Sequence, residues 1–145
     1  MATPKVAVVQ TSSVSRSAVN ALLEAAGDAA AAAGFEAAIA VVDAGGNLKG
    51  FSRTDDAGFL TGEVAIGKAW TAASLGSPTH LWNERLANPK EAPLAHHPRI
   101  LAIGGGYPLL YGGQVVGGIG VSGGHHTQDQ GAALAALKVV GFETT

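Results

Sequence analysis

Two apolar runs that meet at Gly112-Gly113 constrain this chain more than any other feature of its sequence. Residues 107–111 and 114–121 have strand character, and a two-residue glycine link between such runs marks a tight β-hairpin, because glycine takes the positive φ angles the turn needs. A second hairpin stands earlier. There the run 37–42 meets Asp43-Ala44-Gly45-Gly46-Asn47 and returns through 48–51, and the side chains of Asp43 and Asn47 can hydrogen-bond their own turn backbone. The short apolar run 100–103 is expected to add a strand, making about five.

Helical periodicity fills the space around the hairpins. Ser15 or Ser17 can cap a helix running through Val19, Leu22, Leu23, Ala26 and Ala30 to a stop at Gly34. A second helix is expected after Asp55 and Asp56, with Phe59, Leu60, Val64, Ala65, Trp70 and Ala73 on its apolar face and an end near Gly76. A shorter one follows, with Ser77 as cap and Pro78 at its first position. The last is expected to open on a capping box, Thr127 as cap and Gln130 three residues later. Hairpins with helices before, between and after them imply an α+β fold, an antiparallel sheet flanked by helices. A doubly wound parallel sheet is the weaker alternative. One domain is expected over residues 1–145, its core at about 15–140, with no linker and no repeat.

Composition narrows the function classes. Apolar residues make up 47% of the chain and charged residues 14%, a low share for a surface that faces only water, so a homo-oligomer, a dimer or larger, is expected. The net charge of −2 and the lack of any basic run argue against a nucleic-acid partner. There is no cysteine, so a metal site must draw on His, carboxylate or neutral oxygen ligands. The opening MATPKVAVVQTSS lacks the apolar core of a signal peptide and no stretch has the length of a membrane span, so a cytoplasmic location without membrane association is expected.

Four blocks in order, IAVVDAGGNL, GEVAIGKAWTAASLGSPT, GGGYPLLYGGQVVGGIGVSGG and QDQGAALAAL, resemble those of the GlcG/HbpS-like family, which includes the C-terminal domain of PduO-type proteins. The resemblance implies a five-stranded antiparallel sheet with flanking helices, assembled into dimers or larger homo-oligomers. It also implies haem binding in some relatives, so it speaks to fold more than to function. The chain departs from the family pattern after GVSG, where His125-His126 stand in place of small residues or proline.

Histidine is the residue that most invites chemistry, since neutral imidazole ligates iron and exchanges protons near neutral pH. His96-His97 and His125-His126 are the candidate metal ligands, and His80 is read as a helix-start residue. Because His125 and His126 precede a capped helix, its free N–H groups favour an anionic group beside them. Ser122, Gly123 and Gly124 are candidate backbone donors to a ligand, and Trp70 and Trp82 candidate flat walls for one. Gly118-Ile119-Gly120-Val121-Ser122-Gly123 matches GxGxxG, yet two of its glycines lie inside a strand, so close approach of a helix or ligand is the expected reason for them. Arg53 is a candidate carboxylate clamp and Asp129 an orienting partner for a histidine, while Glu63 and Lys68 are expected on a solvated helix face.

Two functional expectations lead, with a structural or scaffolding subunit that has no pocket as the bland third. The first is a protein that binds haem or a related small molecule, with a paired histidine as axial ligand. The second is an isomerase, lyase or hydrolase without an organic cofactor, aided by a divalent metal or by none. In it His125 or His126 would be the acid/base, Arg53 the carboxylate clamp and Asp129 the orienting group.

Overall fold

The computed structural model describes residues 7–144. Its sheet is built from the two hairpins, β1 (Ala38–Asp43) with β2 (Leu48–Arg53), and β3 (Gly106–Tyr111) with β4 (Gln114–Ser122). The strand order is β2-β1-β4-β3 and every pairing is antiparallel. In the first turn Asp43 Oδ1 accepts hydrogen bonds from the Gly45 and Asn47 N–H groups, each 2.9 Å. In the second, Gly112 and Gly113 have φ of 56° and 76°, the pair of positive angles that lets a two-residue turn follow the strand twist.

The two sheet faces differ in side-chain size. On β1, Ala38, Ala40 and Val42 turn toward α2 (Phe59–Leu75), where Ala65 and Ala69 meet them. A Cβ at Gly118 or Gly120 would collide with the α2 carbonyls of Ala69 and Ala65 respectively. The glycines inside β4 therefore serve helix approach, as the sequence reading expects. Ile39 and Val41 point the other way. With Leu109, Ile119 and Val121 they form the larger core under α1 (Arg16–Ala32) and α4 (His126–Val140), which add Val19, Leu22 and Leu137. Helix α1 is capped by Ser15, whose Oγ accepts from Ala18 N–H at 3.1 Å.

Three expectations are corrected. Among the described residues the sheet has four strands, because residues 100–103 do not join it. Their backbone groups are bonded by side chains instead: Thr71 Oγ1 accepts from Leu101 N–H at 2.9 Å, Asn83 Nδ2 donates to Ala102 O at 2.9 Å, and Thr79 Oγ1 donates to Ile103 O. With those groups satisfied, the segment has no need of a strand partner. Pro78 is the N-cap of α3 (Thr79–Arg85), its ψ of 141° being extended, so the helix begins one residue later than expected. Helix α4 is capped by His125, two residues before Thr127, with Gln128 completing the box. Among the described residues, no helix is long and apolar enough to cross a membrane.

Candidate functional site

Helix α3, the segment before β3 and the first turn of α4 enclose a cleft of about 280 Å³ lined by His80, Ile103, Gly104, His126, Thr127 and Gln130, with Asn83 and Glu84 at its margin. Two histidines of different elements thus meet in one cavity. The wall beside them is fixed by Thr79, buried behind His80, whose Oγ1 accepts from Gly106 N–H at 2.9 Å while donating to Ile103 O. His80 packs over Tyr107, ring centroids 5.8 Å apart. Its Nδ1 is shielded from solvent and has no hydrogen-bond partner among the described residues. Tyr107 is buried, which raises its phenol above the usual range, while a hydrogen bond from Gln130 opposes that rise. The sequence reading missed His80 as a cavity residue, although its place in the first turn of a helix after a proline was visible.

His125 and His126 divide their roles. His125 Nδ1 accepts from Thr127 N–H at 3.3 Å and lies 2.8 Å from Thr127 Oγ1, while Gln128 Oε1 accepts from His125 N–H at 3.0 Å. The imidazole therefore does the work that Asn or Asp does at other caps. Part of the anion-binding capacity expected at this helix start is consequently met from within the chain. His126 is exposed at the cleft, its ring centroid 4.1 Å from that of His125.

Among the described residues, Asp129 makes no hydrogen bond to a histidine. Its Oδ2 lies 3.0 Å from Lys68 Nζ and its Oδ1 accepts from Gly124 N–H at 2.9 Å. Lys68 Nζ also donates to Val121 O at 2.9 Å. With Lys68 1% and Asp129 2% exposed, this is a buried ion pair between α2 and α4, and Lys68 is not on the solvated face where the sequence placed it. Glu63 does lie on an exposed face. Burial pulls the Lys68 ammonium below its usual range, and the charge and hydrogen bond of Asp129 push back.

The remaining candidates are dispersed. His96 closes a short 3₁₀ turn (Ala92–His96). His97 stacks on Trp70 at 5.7 Å between centroids, with the Arg99 guanidinium 4.3 Å from the Trp70 ring. Trp70 lines a separate hollow beside Gly45 and Gly46. Trp82 is buried under Arg85, which lies 4.0 Å from its ring. Arg53 ends β2, exposed, two strands across the sheet from Ser122. Ser122 is buried at the end of β4, and Gly123, at φ 137°, packs against the Glu36 carbonyl. Gly124 gives its N–H to Asp129 rather than to a ligand. Among the described residues, no three His, Asp or Glu side chains converge as a metal site.

A family model described as haem degrading protein HbpS-like matches residues 14–138. The chain belongs to the HbpS-like family. It is 34% identical over 110 residues to the corrinoid adenosyltransferase PduO of Salmonella typhimurium, a match that covers 73% of this chain and 32% of PduO. It thus spans about a third of that relative. A crystal structure of a double mutant of HbpS from Streptomyces reticuli superposes with a TM-score of 0.86 at 33% identity, covering 96% of this chain and 97% of the other. A PduOC:heme complex superposes with a TM-score of 0.83 at 29% identity, covering 91% and 98%. The HbpS-like fold of this chain is therefore shared with a relative solved with haem.

Proposed function

We propose that this HbpS-like chain binds haem or a related planar small molecule at the cleft between α3 and the start of α4, with His126 as the axial ligand. The observation that carries the reading is the meeting of His80 and His126 in one cavity. The donor set suits iron: imidazole is a good ligand for it, and two imidazoles, those of His80 and His126, line the cleft. At about 280 Å³ the cleft admits one edge of a macrocycle, and the half-exposed Ile103 supplies apolar surface in its wall. Bound iron would bring electron-transfer and ligand-exchange chemistry to the site; the protein would hold and orient it. Family membership and the PduOC:heme relative support this reading.

The low charge content and the strongly exposed Phe59 and Leu60 support a homo-oligomer. Adding ferric haem to the purified, untagged protein tests the binding. A saturable, stoichiometric shift of the Soret band is expected, and featureless, non-saturating uptake would overturn the proposal.

A further inference from the structure

We propose that Lys68 and Asp129 are positioning residues for the cleft, holding His126 and the glycine wall opposite it in register. This rests on the cleft being the ligand site.

A buried lysine and aspartate need a reason, because desolvating both charges offsets most of their attraction, and an apolar pair of similar volume is often as stable. Their hydrogen bonds supply one. Lys68 Nζ takes Val121 O at the end of β4, and Asp129 Oδ1 takes Gly124 N–H in the turn that follows. The pair therefore ties down both sides of the short connection that delivers His125 and His126. It reaches the opposite wall as well. Gly105, at φ 126°, passes so close that a Cβ there would lie 2.9 Å from both Lys68 Nζ and Asp129 Cβ. Its neighbour Gly104 lines the cleft, where a Cβ would lie 3.5 Å from His80 Cβ and 3.3 Å from His126 O. One ion pair thus sets the spacing between the segment bearing His126 and the strand entry that faces it. A Met/Leu pair keeps the length and branching of the two side chains without their charges but bonds neither Val121 O nor Gly124 N–H, so the fold survives while the connection loses its anchors.

The test compares the wild type with the double variant Lys68→Met/Asp129→Leu. Asp129→Asn, which keeps an acceptor for Gly124, is measured in parallel so that a folding defect in the double variant leaves a second answer. The expected result is a folded double variant whose ferric haem dissociation constant rises about tenfold or more, with a shifted Soret maximum. Asp129→Asn is expected to show the same changes in smaller degree. Wild-type affinity and an unmoved Soret band in a folded variant would overturn the proposal. If the wild type takes up no haem, the cleft reading fails on its own, and the positioning role is then read from the ¹⁵N resonances of the His126 imidazole. Resonances displaced in the variants support it, and unmoved ones overturn it.

Discussion

Lys68 and Asp129, 61 residues apart in sequence, meet at 3.0 Å with almost no exposure to solvent. Removing one partner strands the other as a buried, unpaired charge, which costs about 3–5 kcal/mol, whereas removing both is often close to neutral. Lys68→Met alone is therefore expected to lower unfolding free energy by that amount, and Lys68→Met/Asp129→Leu to recover part of it, since Val121 O and Gly124 N–H still lose their partners. Denaturant unfolding of the three proteins checks this; equal losses in the single and double variants would refute it.

The same pair has a pH signature. Burial lowers the Lys68 pKa in the folded protein below the ordinary lysine value of 10.5. Between the folded and unfolded values the unfolded chain binds more protons, so the contribution of this group to stability rises with pH in that window, which ends near 10.5. Subtracting the unfolding free energy of Lys68→Met/Asp129→Leu from that of wild type, across the alkaline side of neutrality, should leave an upward slope. A flat or falling difference would mean that Lys68 is not desolvated as described.

Thr79 Oγ1 accepts from the buried Gly106 N–H and donates to Ile103 O. Thr79→Val keeps the shape and removes the oxygen. The expected loss is about 1–3 kcal/mol of stability, with faster amide exchange at Gly106 seen by NMR. Unchanged protection at Gly106 would show that another group takes over.

Gly120 faces the Ala65 carbonyl of α2 at a distance that leaves no room for a methyl group. Because backbone and not a flexible side chain stands in the way, Gly120→Ala is expected to cost about 3 kcal/mol or more, or to prevent folding. Gly131→Ala, at a position on α4 where a Cβ meets nothing within 4 Å, is the matched control and should be neutral or stabilising. Thermal unfolding of the two variants separates them.

Local signals were the legible ones. Both hairpins could be read because positive-φ glycines and Asp43 act within a few residues of where they stand, and the small-residue face of β4 could be read because nothing larger fits beneath a helix. The run 100–103 misled because apolar residues alone do not reveal that the side chains of Thr71, Thr79 and Asn83 will bond its backbone. The α4 cap was displaced by two residues because histidine is not an expected cap, although its Nδ1 offers the same acceptor as an asparagine oxygen. The candidate site fared unevenly for the same reason. His126 was marked by its place before a helix. Its meeting with His80, and the pairing of Lys68 with Asp129, depend on contacts between distant segments that no local pattern encodes.

The measurement that bears most directly on the central claim is a spectroscopic titration of ferric haem into wild type, His126→Ala, His80→Ala and His97→Ala. The cleft reading predicts stoichiometric binding by wild type and by His97→Ala, whose ring stacks on Trp70 outside the cleft. It predicts affinity about tenfold weaker or worse and an altered Soret band in His126→Ala, with a smaller loss in His80→Ala. Wild-type affinity and spectrum in His126→Ala, or a loss confined to His97→Ala, would contradict it.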